Sequence, residues 1–315
     1  MKRIKINLDL HPLERWNSIK NYKNEINSLL KYYLEDLSDA GIFETYIDTY
    51  KELFISEPYK QEIKSISNYC DFEENQILIT NLYYDALKFV FGCTAFCTTD
   101  GIEKLHARNL DWWTENNILS SFSKVFDFEK NGKTLFSLVS WPGFIGALSG
   151  VKPGAFSITL NAVLSNEEPQ FALPVTFLIR DVLEKASTFN EAVKMLSETP
   201  IASDCLLMII GANKNENVVI ERTPSSFSIR KPIEDKLIVT NEYLTLTENK
   251  LTNDSLQTTA SGRHLRVNQL LTDNPSANIE NYFNILSDDK VKMDITVQQM
   301  IFNPVNGDIH LKTNN

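Results

Sequence analysis

Two runs of strand-forming residues on either side of Asp100-Gly101 constrain this chain more than any other feature. Cys93-Thr94-Ala95-Phe96-Cys97-Thr98-Thr99 precedes the pair, and Ile102-Glu103-Lys104-Leu105-His106-Ala107-Arg108-Asn109-Leu110-Asp111-Trp112 follows it. Asp-Gly accepts the positive φ that a two-residue type I′ turn requires, so the stretch predicts a β-hairpin. Such a turn sets the register: Thr99 faces Ile102, and counting back puts Cys93 opposite Arg108. Opposite residues share a face, with Cβ atoms roughly 4.5–5.5 Å apart. A thiol beside a permanent cation is favoured as thiolate, the nucleophilic form. Asp111 follows within reach of the same place. The same residues also fit a plain structural role, a small buried Cys and a surface Arg–Asp pair.

The bulk composition sets outer bounds. The chain has 315 residues, 43% hydrophobic and 23% charged, which suits a globular protein with ample core. A net charge of −10 argues against a nucleic-acid partner. No run of 18 apolar residues predicts a membrane span. The basic start Met1-Lys2-Arg3 leads into no apolar stretch, since Asn7, Asp9 and His11 interrupt it. We therefore expect no signal peptide and a cytoplasmic location. Cysteines at 70, 93, 97 and 205 form no disulfide or metal pattern. Cys93 and Cys97, about 13 Å apart on one strand, are too distant to bridge. The histidines at 11, 106, 264 and 310 form no HExxH or triad spacing, so no metal is expected, and His106 is expected to be structural.

Read in order, the first third is helical after a short strand over 4–10. Residues 13–37 predict one long amphipathic helix, with Trp16, Ile19, Ile26, Leu29, Leu30, Tyr33 and Leu37 at helical spacing. Two more helices are expected over 44–55 and 58–69, and an apolar run fills 71–91. From residue 93 strands dominate. Val125–Glu129 and Thr134–Val139 flank Asn131-Gly132, a second hairpin. Residues 141–154 carry four glycines and two prolines but no GxxxxGK[ST], so they predict tight turns beside the site. A strand over 156–160, helices over 173–186 and 189–198, a hairpin of Cys205–Ile210 with Asn217–Arg222, and a strand over Leu237–Asn241 follow. A polar loop then runs to 262. Pattern alone supports an α+β fold with a helical N-terminal third.

Several segments carry a family likeness. Cys93-Thr94 with His106-Ala107-Arg108-Asn109-Leu110-Asp111, the run Ile6–Trp16, the glycine-rich 141–154, Thr159-Leu160-Asn161, Leu237–Asn241 and Gly262-Arg263-His264 together resemble the acid ceramidase and N-acylethanolamine acid amidase family. These are N-terminal-nucleophile (Ntn) cysteine hydrolases related to bile salt hydrolase and penicillin V acylase. Ala95, Ala107 and Ala162 stand where the family pattern has Ser, Gly and Glu, Ser261-Gly262 replace two Asp, and one residue fewer separates the Cys from the Arg.

The resemblance implies an αββα sandwich preceded by a helical segment. Self-cleavage between Gly92 and Cys93 would leave residues 1–92 as one chain of a retained heterodimer and 93–315 as the catalytic chain. It implies Cys93 as nucleophile and, through its freed amine, as base. Arg108 would hold the thiol, Asp111 would orient the amine, Asn241 would donate to the oxyanion, and Arg263 would complete the network. Trp112, Trp141, Phe144 and Asn161, with Trp113 and Ile145 nearby, are expected to line the substrate. The implied substrate is a small-molecule N-acyl amide lipid, such as a ceramide or an N-acylethanolamine, met with transient membrane or micelle contact and no cofactor. Alternatives are a bile-acid or penicillin-type amidase, an acyltransferase, or a catalytically idle binding protein.

Overall fold

A computed structural model describes residues 2–37, 43–87, 91–99, 104–113, 117–247 and 258–313. The strands in chain order are β1 (Arg3–Asn7), β2 (Phe91–Thr98), β3 (His106–Trp112), β4 (Lys124–Lys130), β5 (Lys133–Ser140), β6 (Ser149–Lys152) and β7 (Phe156–Asn161). They continue with β8 (Cys205–Gly211), β9 (Asn217–Arg222), β10 (Phe227–Arg230), β11 (Lys236–Val239), β12 (Thr296–Phe302) and β13 (Ile309–Thr313). Eight form one sheet in the order β1-β4-β5-β6-β7-β8-β9-β10, and five form a second in the order β11-β2-β3-β12-β13.

Strand periodicity explains how the sheets stack. Successive side chains of a strand point to opposite faces. On β2, Ala95 and Cys97 pack with Leu206, Met208 and Ile210 of the large sheet, while Phe96 packs with Val267, Leu271 and Tyr282 of the C-terminal helices. Helices Val175–Lys185 and Phe189–Glu198 cover the large sheet, and helices Ala260–Asp273 and Ile279–Leu286 cover the small one. The result is the αββα sandwich. Cys93 has the parity of Ala95 and Cys97, so its side chain faces the space between the sheets.

The N-terminal third departs from the sequence expectation in two ways. Residues 13–37 are broken into a helical turn Pro12–Arg15, a 3₁₀ helix Trp16–Tyr22 and an α-helix Lys23–Leu37. Trp16, Ile19 and Tyr22 recur every three residues, which suits the three-residue turn of a 3₁₀ helix. Trp16 and Ile19 are buried, and the Trp16 ring meets Phe126 and Phe128 at 6.1 and 6.0 Å. The second departure is integration. β1 pairs parallel with β4, from Arg3↔Val125 to Asn7↔Glu129, so this segment supplies the edge of the large sheet. Its apolar residues share one core with the strands, each large buried side chain contributing about 2 kcal/mol. The helices over 43–54 and 57–67 follow expectation, and the apolar run of 71–91 forms two short helices, Glu74–Asn81 and Tyr83–Leu87, before β2.

The two predicted hairpins also divide. Asn131 and Gly132 have φ of 52° and 71°, and Lys130 pairs with Lys133 across them, as a two-residue turn requires. The β2–β3 hairpin has another register: Cys93 pairs with Leu110, and Arg108 with Ala95. Cys93 and Arg108 are therefore not directly opposite. Asp100-Gly101, on which the two-residue turn rested, lies outside the described residues. Within the glycine-rich stretch, 149–152 is a strand rather than a turn.

Candidate active site

The register shift is by two residues, so Arg108 keeps the face of Cys93 and becomes its diagonal neighbour. Such neighbours are within reach of a long side chain. Arg108 Nη2 donates to Cys93 Sγ at 3.3 Å. The same guanidinium donates to the carbonyls of Leu148 (2.7 Å) and Leu160 and to Ser149 Oγ. Cys93 Sγ also lies 3.7 Å from the Leu160 carbonyl. Arg108 is fully buried. The planar fork is thereby fixed from three sides by β6, β7 and the sulfur. The Leu148, Ser149 and Leu160 contacts arise across the sheet-to-sheet space, so no local sequence signal could have named them.

The main chain of Cys93 is held as firmly as its thiol. The β11–β2 ladder ends at Val239↔Ala95, and continuing its register brings Asn241 level with Cys93. The side chain takes over the ladder there: Cys93 N–H donates to Asn241 Oδ1 at 2.9 Å. From helix Ala260–Asp273, Arg263 Nη1 donates to the Cys93 carbonyl (2.6 Å) and Thr94 Oγ1 (2.9 Å), and Nη2 to Asn241 Oδ1 (2.8 Å). Two donors at Oδ1 define which way the amide points. Its Nδ2 donates to the Ala162 carbonyl at 2.8 Å. Asn241 thus meets Cys93 as an acceptor, whereas the family pattern implies a donor to an oxyanion.

Asp111 sits on β3 opposite Gly92. Thr296 Oγ donates to Asp111 Oδ1 at 2.5 Å, while Oδ2 is buried without a hydrogen-bond partner among the described residues. Burial pushes the Asp111 carboxyl above the usual carboxylate range, against the opposing pull of Arg263, the Thr296 hydrogen bond and Arg108. A Cβ on Gly92 would lie 3.0 Å from both Asp111 Cβ and Met293 Sδ, and 3.2 Å from Asp111 Oδ2. The close approach admits glycine alone without rearrangement. Thr296 and Met293, from the far end of the chain, were invisible to the sequence reading.

The apolar residues expected to line the substrate pack against each other and the N-terminal helices. Trp112 stacks on Tyr33 (centroids 5.5 Å) and meets Tyr83 (5.0 Å) and the edge of Trp141 (5.6 Å). Trp141 Nε1 donates to the Leu119 carbonyl, and Phe144 and Ile145 are buried beside it. Asn161 Nδ2 donates to the carbonyls of Val239 and Thr240, bracing the approach to Asn241. Trp113 is exposed. An open apolar cleft of about 420 Å³ lies elsewhere, between the N-terminal helices and the loops of the catalytic region. Tyr46, Ile47, Tyr50, Leu82, Ala86, Pro169, Phe171 and Ala202 are among its lining residues.

Two groups with reactive side chains stand outside the network. His106 is buried between Ser157 Oγ (2.9 Å) and Thr159 Oγ1 (3.0 Å), and burial drives its pKa down to about 3. It ties β3 to β7 as a neutral ring. Cys97, two strand faces along from Cys93, has its thiol pushed up to about 12 by burial. All four cysteines are free. Among the described residues no group of His, Cys, Asp and Glu could hold a metal ion.

Comparison with known proteins agrees with this architecture. The profile of the acyl-coenzyme A:6-aminopenicillanic acid acyl-transferase family matches residues 99–310. An N-acylethanolamine-hydrolyzing acid amidase of Caenorhabditis elegans is 30% identical over 242 residues, 70% of this chain and 67% of that protein. An acid ceramidase of Balaenoptera acutorostrata scammoni is 28% identical over 251 residues, and the chain spans 62% of its length. The solved structure of the Caenorhabditis elegans N-acylethanolamine-hydrolyzing acid amidase ortholog superposes with a TM-score of 0.57 at 27% identity. It covers 67% of this chain and 93% of that one. The chain therefore belongs to the acyl-coenzyme A:6-aminopenicillanic acid acyl-transferase family, among the amide-bond hydrolases of the N-terminal-nucleophile fold.

Proposed function

We propose that this protein is a self-processing cysteine amidase that cleaves N-acyl lipid amides into fatty acid and amine. The observation that carries the reading is Arg108 Nη2 donating to Cys93 Sγ at 3.3 Å inside a buried network that also holds the Cys93 N–H and carbonyl. A guanidinium fixed at the sulfur holds it in place for attack on a carbonyl carbon.

Before a cut the Cys93 nitrogen is a peptide amide and cannot serve as the base, and among the described residues the thiol meets only the Arg108 guanidinium and the Leu160 carbonyl. Self-cleavage supplies a base. Cys93 Sγ attacks the Gly92 carbonyl, the Gly92–Cys93 C–N bond breaks, and the nitrogen takes up a proton. The thioester is then hydrolysed by water, leaving a carboxylate on Gly92 and a free α-amine on Cys93. That amine, with a pKa near 7.7–8.0, takes the thiol proton in the next attack and returns it to the leaving amine. Asn241 Oδ1, already on this nitrogen, would hold the new amine, and Asp111 stands beside it. Oxyanion donors of the kind such a site needs are worth about 3–4 kcal/mol. Cys93 is only 1% exposed, so release of the Phe91-Gly92 pairing is also the event that opens the site.

The two pieces stay together in this reading, because β1 and the shared core tie residues 1–92 to the catalytic part. The apolar cleft receives the acyl chain. Its exposed rim residues Tyr46 and Phe171, with Leu53 nearby on the same helix as Tyr46, meet a micelle or bilayer surface during loading. No helix among the described residues is long and apolar enough to cross a membrane.

A substrate series tests the assignment. Efficiency on N-acylethanolamines and ceramides should rise with acyl length, by up to about 0.8 kcal/mol per buried methylene, and then level off. A flat response, or a preference for phenylacetyl or steroid acyl groups, would move the protein to the penicillin or bile-acid branch. A cut but inactive protein would leave a binding role.

A further inference from the structure

The glycine-rich loop between β5 and β6 delivers the Leu148 carbonyl to Arg108, and it is held from outside the catalytic chain. Asn81, the last residue of helix Glu74–Asn81, is 1% exposed. Its Oδ1 accepts from Ile145 N–H at 2.8 Å, and its Nδ2 donates to the Gly143 carbonyl at 3.2 Å and to Ile77 of its own helix at 2.9 Å. The carbonyl of the same residue is also anchored: Arg180 Nη1 donates to the Ile145 carbonyl at 2.8 Å, and Arg180 is paired with Glu62 at 3.3 Å. Glu62, like Asn81, lies before the Gly92–Cys93 bond. Ala147 N–H is then taken by the Thr176 carbonyl at 2.9 Å, and the next carbonyl, that of Leu148, receives Arg108 Nη1 at 2.7 Å. From Asn81 the path to Cys93 Sγ thus runs through the six-residue loop Gly143–Leu148 and one guanidinium.

We propose that Asn81 is a positioning residue: through the Gly143–Leu148 loop it sets Arg108 against the Cys93 sulfur, so the N-terminal chain supplies part of the thiol's reactivity in trans after the cut. The proposal rests on the self-processing amidase reading for the cut and for its turnover measurements, but not for the link from Asn81 to the thiol. Asn81 touches neither Cys93 nor substrate, so its removal acts on rate more than on binding. Misplacement of a catalytic group by about 1 Å can lower a rate by about 100-fold.

The test uses the full-length protein with Asn81→Leu, which removes both loop contacts at similar size, and Asn81→Asp, which keeps the acceptor for Ile145 N–H. Asn27→Ala is the matched control. Asn27 grips Asp71 by two hydrogen bonds of 2.7 and 2.9 Å wholly within the N-terminal segment. Two quantities are read: the second-order rate and pH profile of Cys93 alkylation by iodoacetamide, located by peptide mass spectrometry, and kcat and KM on an N-acylethanolamine. The expected result is a drop of roughly 10- to 100-fold in alkylation and kcat for Asn81→Leu. KM should stay within about twofold, the alkylation midpoint should move to higher pH, Asn81→Asp should fall between, and Asn27→Ala should match wild type. Wild-type alkylation rate and pH profile in folded Asn81→Leu would overturn the proposal. If that variant does not fold, wild-type values in Asn81→Asp would overturn it. Wild-type protein that alkylates readily but hydrolyses no amide would instead count against the amidase reading, and the alkylation comparison would still decide the role of Asn81.

Discussion

Glu62 and Asp111 are both fully buried carboxylates, one beneath the N-terminal helices and the other beside Cys93. Glu62 accepts from Arg15 Nη1 at 3.0 Å, Trp16 Nε1 at 2.9 Å and Arg180 Nη2 at 3.3 Å. The Arg180 guanidinium in turn lies 4.1 Å from the centre of the Phe128 ring. Asp111 accepts from Thr296 alone, and its second oxygen, pointed toward Gly92, has no hydrogen-bond partner among the described residues. One region saturates its buried charge and the other leaves capacity unused. The saturated cluster joins the segments on either side of the proposed cut. The unsaturated one lies beside the Gly92–Cys93 bond proposed to break.

Breaking each cluster should sharpen this contrast. The largest effect is expected for Glu62→Ala. It removes the nearer carboxylate of the buried Arg180 cation and leaves Glu184 at 3.8 Å, and removing one partner of a buried pair costs about 3–5 kcal/mol. Urea unfolding should show that loss, and a change under about 1 kcal/mol would mean the cluster is not saturated as described.

Next is Arg108→Lys. A single ammonium cannot serve the sulfur and the Leu148 and Leu160 carbonyls together, because it lacks the planar fork. Turnover should fall on the order of 100-fold, with the unfolding midpoint close to wild type. Near-normal turnover would remove Arg108 from the chemistry.

The smallest effect is expected for Asp111→Asn, which keeps the acceptor for Thr296. Burial raises the Asp111 carboxyl in the folded protein. A raised folded pKa means that the folded state binds the extra proton. The stabilisation it brings is complete below the unfolded value near 3.9, and is lost as pH rises through the folded value. The variant lacks this loss. Its stability should therefore gain on wild type as pH climbs above about 4, by at most about 1.4 kcal/mol per unit over that window. Parallel pH–stability curves would mean that Asp111 is ionised without penalty. His106 acts in the opposite sense in both proteins, since its depressed pKa of about 3 makes acid below about 6.5 destabilising, so only the difference between the curves bears on Asp111.

The hairpins explain how far the sequence could be read. Asn131-Gly132 closes a two-residue turn locally because both residues take the positive φ it needs. In β2–β3 the pairing shifted by two residues, yet Cys93 and Arg108 still met, because an even shift preserves the face and Arg is long. Arg263, Asn241 and Asp111 were reached through family likeness, and their contacts through β11, β3 and the C-terminal helix are long-range. Asn81 and Glu62 gave no signal. An Asn at a helix end ordinarily reads as a terminator, and a Glu on a mixed helix reads as solvent-facing. Their partners lie 62 and 118 residues away. Of the aromatic residues near the motif, Trp112 packs on Tyr33 and Tyr83 of the N-terminal helices, contacts that cross from one third of the chain to the next and leave no local sequence pattern.

The central claim is that Cys93 cuts the chain before itself. Intact-mass spectrometry with N-terminal sequencing of the purified protein, incubated from neutral to mildly acidic pH, reads it directly. The account predicts two retained chains, residues 1–92 and a chain beginning at Cys93, with Cys93→Ala intact and inactive and Cys97→Ala cut normally. An uncut wild-type chain that still hydrolyses N-acyl amides would contradict it.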